Sequence, residues 1–275
     1  MLSYPDKLYK GGFDFSNTAR NAALLPDAEL TKHFTKTGTT IVGVKCREGV
    51  VLAADTRATQ SNVADKNCEK VHFIAPNITC CGAGTAADND YYTKKLAAEL
   101  KLQRMNTGRE SKISTLVTRA AMHLFRHGGQ LGVYLIIAGF DARGPHLCQV
   151  GATGYANYDN FMSMGSGSVA AYGVLEPHYR DDLSLEEARL LAIEAVKAGI
   201  VYDLGSGSNV DYVVLTRGKT DYHRNAVVVG QREVPKPTPY VFARDNIPVL
   251  KHVALDVVRQ ESVLVKELRT AMQME

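Results

Sequence analysis

No stretch of the sequence approaches about 18 continuous apolar residues, which argues against a transmembrane helix. The first thirty residues hold no apolar segment of the kind that marks a secretory signal. Cysteine is scarce: Cys46, Cys68, Cys80, Cys81 and Cys148 form an odd set of five with no Cys-x-x-Cys pair. A disulfide framework and a zinc ribbon are therefore not expected, and a reducing compartment is. No run of Lys and Arg is long enough to track a phosphate backbone, and the net charge is only +3, so nucleic acid is not an expected partner. What is present is ordinary for a globular chain: 45% apolar and 22% charged residues over a length of 275, enough for one large domain or two small ones with a sizeable core.

Residues 1–38 carry Gly11-Gly12 and scattered charge without a sustained period. At Thr39 the texture changes. Residues 40–44 are β-branched but for Gly43, Arg47-Glu48-Gly49 reads as a turn, and 50–54 is a second apolar run, which predicts a hairpin. Residues 71–75 and 78–81, turning at Pro76-Asn77, predict another. The period then lengthens. Tyr92, Leu96 and Leu100 recur every four residues, predicting a helix over 86–105, and Ile113, Leu116, Val117, Ala120, Ala121 and Leu124 fit one helix face, with Gly128-Gly129 beyond its end. Strands are expected at 133–140 and 146–150 and a short helix near Ser166. Ser184-Leu185-Glu186-Glu187 is a capping box that opens a helix expected to end at Gly199. Late strands are expected at 210–216 and 226–229. Hairpin spacing implies antiparallel sheets, and helices in pairs between hairpins fit an α+β, four-layer αββα sandwich of two antiparallel sheets flanked by helices. The last forty-odd residues differ again: Pro235, Pro237 and Pro239 stiffen an extended stretch, and 249–265 mixes charged and apolar residues without a clean period. That segment reads as an arm that needs something to lie on.

The junction Gly38-Thr39-Thr40 carries the first chemical signal. Adjacent threonines at a strand start are usually only β-formers. The alternative is cleavage between Gly38 and Thr39, which places a free α-amine beside the Thr39 hydroxyl. A threonine hydroxyl needs a base, and an α-amine with a reference pKa of about 7.7–8.0 suits that task. Glycine before the threonine lets the backbone bend.

The later segments are Asp55-Thr56-Arg57-Ala58-Thr59, Asp65-Lys66-Asn67-Cys68-Glu69-Lys70-Val71-His72-Phe73, Gly82-Ala83-Gly84-Thr85-Ala86-Ala87-Asp88, Gly165-Ser166-Gly167-Ser168 and Tyr202-Asp203-Leu204-Gly205-Ser206-Gly207-Ser208-Asn209. With the Gly-Thr-Thr junction, this ordered set resembles the catalytic β-type subunits of the 20S proteasome, most closely the trypsin-like class, over about residues 11–256. Each segment alone has a plainer reading: Asp55 and Lys70 as a structural salt bridge, the two Gly-Ser-Gly-Ser runs as loops, Gly84 as a turn.

The resemblance implies an N-terminal nucleophile hydrolase fold and a threonine protease made as a precursor that cuts itself at Gly38–Thr39. It makes Thr39 the nucleophile and Asp55 with Lys70 the acid–base pair behind it. Ser166, Asp203 and Ser206 hold the Thr39 amine and hydroxyl, Gly84 supplies an oxyanion-hole N–H, and Arg57 supports the nucleophile. No metal or other cofactor is implied; His72 reads as a polar wall. The resemblance lines a substrate pocket with Ala58, Cys68, His72, Gly82, Ala86 and Asp90, Gly82 leaving it deep, Asp90 offering negative charge to a basic side chain and Asp65 adding to it. The loop Gln60-Ser61-Asn62-Val63 is one residue short of the usual pattern, with Gln60 where an acid is common. By the same resemblance residues 1–38 are a propeptide, 39–231 the hydrolase domain, and 232–275 an extension embracing a neighbouring subunit. The partners are other α- and β-type subunits in a stacked-ring barrel and unfolded polypeptide substrates, with no nucleic acid or membrane, in the cytoplasm and nucleus. A non-catalytic scaffold subunit, a bacterial-type homo-oligomeric barrel protease and an amidohydrolase of the same fold are the alternatives.

Overall fold

The computed structural model of the protein describes residues 38–59 and 62–229. Residues 1–37, 60–61 and 230–275, which include all of the expected propeptide except Gly38 and all of the expected C-terminal extension, lie outside these described residues. Two five-stranded antiparallel sheets make the centre. The first contains β1 (Ile41–Lys45), β2 (Gly49–Asp55), β10 (Phe161–Met164), β11 (Asn209–Thr216) and β12 (Lys219–Val228), in the order β10-β1-β2-β11-β12. The second contains β5 (Val71–Ala75), β6 (Ile78–Gly84), β7 (Val133–Asp141), β8 (Gly144–Val150) and β9 (Ala156–Tyr158), in sequence order. A small ribbon pairs β3 (Ala58–Thr59) with β4 (Val63–Asp65). The helices are α1 (Ala86–Thr107), α2 (Ile113–Arg126), α3 (Ser168–His178) and α4 (Leu185–Tyr202).

Strand alternation builds the layers. Along β7, Leu135 and Ile137 face one way and pack with Tyr92, Leu96, Leu116 and Leu124 of α1 and α2. Ile136 and Ala138 face the other way, into a core shared with Ile41, Leu52 and Val213 of the first sheet. Along β2, Val51 and Ala53 pack beneath α3 and α4 with Ala171, Leu175, Ala192 and Val196. The order of layers is α1/α2, second sheet, first sheet, α3/α4, so the α+β sandwich expected from the sequence is the fold that forms. Cys80 and Cys81 follow the same rule: one joins the helix-covered core and its neighbour the core between the sheets.

Local signals account for several boundaries. Ser184 accepts from the Glu187 N–H while the Glu187 carboxylate accepts from the Ser184 N–H, the reciprocal cap that starts α4. Gly108, at φ 62°, ends α1 and returns its N–H to the Arg104 carbonyl. Other expectations need correction. Helix α4 does not stop at Gly199 but runs to Tyr202. Gly199 is there because a Cβ would lie 2.3 Å from the Thr40 hydroxyl, so it marks a close approach rather than an end. Strand β12 starts at Lys219, and the short strands β3, β4, β9 and β10 carry too little apolar patterning to be read from sequence.

Candidate active site

Thr39 sits just before β1 and is only 2% exposed. The Thr40 N–H donates to Asp55 Oδ1 at 2.9 Å, and the Asp55 N–H donates to the Thr40 carbonyl at 3.1 Å. The start of β1 is thereby locked to the end of β2. Lys70 approaches from the other sheet, just ahead of β5, with its carbonyl held by the Gly82 N–H at 3.0 Å. Its ammonium donates to Asp55 Oδ1 at 2.7 Å, to Thr39 Oγ1 at 3.1 Å and to the Gly38 carbonyl at 3.2 Å. An ammonium has three hydrogens, and these three acceptors match them in number. Asp55 is 0% and Lys70 7% exposed, so the pair is a buried salt bridge. Asp55 is well provided with donors: besides Lys70 and Thr40, its Oδ2 accepts from the N–H groups of Gly207 at 3.1 Å and Arg57 at 3.4 Å. Such hydrogen bonds are what a buried ion pair needs to offset its desolvation.

A second group of residues holds the backbone of Thr39. Its N–H donates to Ser166 Oγ at 3.1 Å, and Ser166 donates to Asp203 Oδ2 at 2.5 Å. Ser206 donates to the same carboxylate oxygen at 2.7 Å and also meets the Thr40 hydroxyl at 2.7 Å. Burial alone would raise the Asp203 pKa, but hydrogen bonds from Ser166, Ser206 and the Gly205 N–H outweigh it and hold the carboxyl below its ordinary range. The Arg57 guanidinium clasps the loop beyond, donating to the Leu204 carbonyl at 2.5 Å and to the Ser206 carbonyl. The Thr39 hydroxyl donates to the Gly38 carbonyl at 2.8 Å. A Cβ on Gly38 would lie 2.1 Å from Gly205 Cα. Glycine at this junction therefore answers a backbone-to-backbone approach.

A family model described as Proteasome subunit matches residues 35–215 of this chain. The chain belongs to that family. Among similar proteins, a proteasome subunit beta type-7 of Dictyostelium discoideum is 44% identical over 247 residues, covering 90% of this chain and 92% of that one. A proteasome subunit beta type-2 of Saccharomyces cerevisiae is 44% identical over 256 residues, covering 92% and 98%. A proteasome subunit beta type-10 of Mus musculus is 44% identical over 244 residues, covering 87% and 89%.

In this proteasome family chain the fold brings Thr39, Asp55, Lys70, Ser166, Asp203 and Ser206 into one hydrogen-bonded set. Ser206 reaches it through Asp203 and Thr40 rather than by touching Thr39. Gly84, at φ 106°, ends β6, and a Cβ there would lie 2.3 Å from the Gly132 carbonyl oxygen.

The pocket positions are a looser group. Ala58 and Cys68 are partly exposed, and Ala86 and Asp90 are exposed on the first turns of α1. Burial holds the His72 imidazole below its ordinary range, with Asp90 and Glu69 opposing. Asp90 is engaged by Lys94 one turn along, at 2.7 Å. The space beside Gly82, expected to be open, is occupied by Asn89: a Cβ on Gly82 would lie 2.9 Å from Asn89 Oδ1. Asp65 is exposed.

Two contributors had no sequence signal. One is Asn89. The other is Arg224 on β12, which donates to the Asn67 carbonyl at 2.6 Å and to Asn67 Oδ1 at 2.8 Å and is backed by buried Asp211 at 3.3 Å. It grips the segment that carries Cys68 and Lys70. Among the described residues no group of three His, Cys, Asp or Glu side chains is placed to hold a metal ion, and no helix is long and apolar enough to cross a membrane.

Proposed function

We propose that this chain is a threonine-type endopeptidase subunit of a 20S proteasome core, made as a precursor and activated by its own cleavage at Gly38–Thr39. The observation that carries the reading is the Lys70 ammonium, which touches Asp55, the Thr39 hydroxyl and the carbonyl of the bond to be cut. In the uncut chain the Thr39 nitrogen is an amide and has no basic lone pair. The first reaction is therefore internal. Thr39 Oγ1 attacks the Gly38 carbonyl carbon, and the carbonyl that takes up negative charge is already hydrogen-bonded to Lys70. The C–N bond breaks as the ester forms, and the hydroxyl proton ends on the released amine. Water hydrolyses the ester, leaving a Gly38 carboxylate and Thr39 with both amine and hydroxyl free.

In the cut form the α-amine takes the hydroxyl proton as Oγ1 attacks a substrate carbonyl, and Lys70 keeps the surroundings positive. The substrate amine leaves with that proton, and water releases the acyl group. Ser166, oriented by Asp203, positions the amine, while the Gly84 N–H serves the oxyanion. The β-type names of the relatives support assembly with other α- and β-type subunits. Residues 1–38 act as the propeptide and 232–275 as the arm laid on a neighbour. The substrates are unfolded polypeptides cut after basic residues, in cytoplasm and nucleus.

N-terminal sequencing and intact mass of the subunit in purified particles test the proposal. The expected subunit begins at Thr39, and Thr39→Ala is expected to leave an uncut, inactive chain in assembled particles. A subunit beginning elsewhere, or processing that survives Thr39→Ala, overturns it.

A further inference from the structure

We infer that Asn89, rather than Asp90, reads the tip of the side chain that enters the pocket, and that it selects tips carrying N–H donors. The inference rests on the proteolytic reading above and names a residue that this reading does not supply.

Asn89 lies on the first turn of α1, three residues after Ala86 and next to Asp90, but it turns inward where both of those are exposed. It is 4% exposed. Its Nδ2 donates to the Ala83 carbonyl at 2.8 Å and to the Thr85 carbonyl at 2.9 Å. Those two acceptors fix the orientation of the amide, because reversing it would set an oxygen against two oxygens. Oδ1 is thereby committed to the opposite side. It is buried and has no hydrogen-bond donor among the described residues. It lies against the one wall position with no side chain, 2.9 Å from where a Gly82 Cβ would be.

A buried acceptor lacking a donor is unfavourable, and a ligand that brings the donor removes the deficit. Sites built this way reject analogues without the donor far more strongly than apolar pockets reject a missing methylene. An Arg guanidinium or Lys ammonium that reaches the Asn89 amide covering Gly82 brings such donors, and a norleucine side chain of similar length brings none. The surroundings fit. His72, held toward its neutral form by burial, does not repel a cation. The Asp90 carboxylate is exposed and already serves Lys94, which weakens its claim to the role.

The test uses assembled particles in which the other active sites are silenced, with reporter peptides ending in Arg, Lys or norleucine before the cleaved bond. Wild type comes first: failure to cleave after Arg would refute the basic-residue part of the proposed function on separate grounds. Asn89→Leu is expected to lower the Arg-to-norleucine ratio of kcat/KM about tenfold or more, mainly through KM. Gly82→Ala keeps the Asn89 amide but presses a Cβ against Oδ1, and is expected to lower the same ratio. Asn89→Ser keeps a donor for the helix-start carbonyls and serves if Asn89→Leu does not assemble. An unchanged ratio in any assembled variant, or equal losses on all three reporters, overturns the inference.

Discussion

The nucleophile end and the pocket end of the candidate site are built to different standards. Around Thr39, the Lys70 ammonium has as many acceptors as hydrogens, Asp55 accepts from four donors, and Asp203 gathers two hydroxyls and an N–H on its carboxylate. Around Gly82, an amide oxygen is unmet, burial holds the His72 imidazole below its ordinary range, and the Asp90 carboxylate is exposed. On the proposed reading, the chain completes the Lys70, Asp55 and Asp203 groups that serve bond making and breaking with its own atoms, and leaves the groups that choose a substrate short of a partner. Pre-organisation favours chemistry because the fixed dipoles need not reorganise during reaction. A recognition surface instead gains discrimination by leaving something for the ligand to supply.

Three perturbations sharpen the contrast. The largest effect is expected from Lys70→Ala, which removes the common donor to Thr39, Gly38 and Asp55. Peptide hydrolysis is expected to fall at least ~100-fold. The stranded Asp55 carboxylate is expected to cost about 3–5 kcal/mol of stability. Reporter turnover and melting of the assembled particle measure both. Near-normal turnover would remove Lys70 from the mechanism.

An intermediate effect is expected from Asp203→Asn, and it depends on pH. The folded Asp203 pKa lies below the ordinary carboxylate value, so its ionised form contributes stability at neutral pH, lost as pH falls through the folded value. Wild type is expected to melt above the variant at pH 7, with the gap closing below about pH 4. A gap that stays constant down to pH 3 would mean that the hydrogen bonds to Asp203 do not favour its charge.

The smallest effect is expected from Asp90→Asn. It breaks an exposed i,i+4 pair with Lys94, a contact worth about 0.3–0.5 kcal/mol. The Arg-to-norleucine ratio is expected to move far less than in Asn89→Leu. A larger loss in Asp90→Asn would assign charge reading to the rim of the pocket and collapse the distinction between its floor and its edge.

The layers were legible because burial repeats. Leu135 to Ala138 alternate between two cores, and Ile113 to Leu124 return to one helix face, so period alone located them. The polar strand β12 was legible only at its apolar end, since Lys219 to Asn225 carry no alternation. Gly199 was misread because a helix interior glycine and a helix-ending glycine look alike until the partner, Thr40, is in place. The proposed catalytic set was legible through ordered short segments that place Thr39, Asp55, Lys70 and Asp203 far apart in the chain and together in the fold. Asn89 was not legible, because its significance lies in which of its two amide atoms is satisfied. That is decided by the carbonyls of Ala83 and Thr85 and leaves no trace in residue type.

The adjacent cysteines of β6 offer a further use. Cys80 belongs to the layer under α1 and α2, and Cys81 to the layer between the sheets, although one peptide bond joins them. Burial pushes the Cys80 thiol up to about 12 and the Cys81 thiol up as well, so neither reacts until its layer opens. Their alkylation rates are therefore two independent clocks: one times the detachment of the outer helices, the other the parting of the sheets.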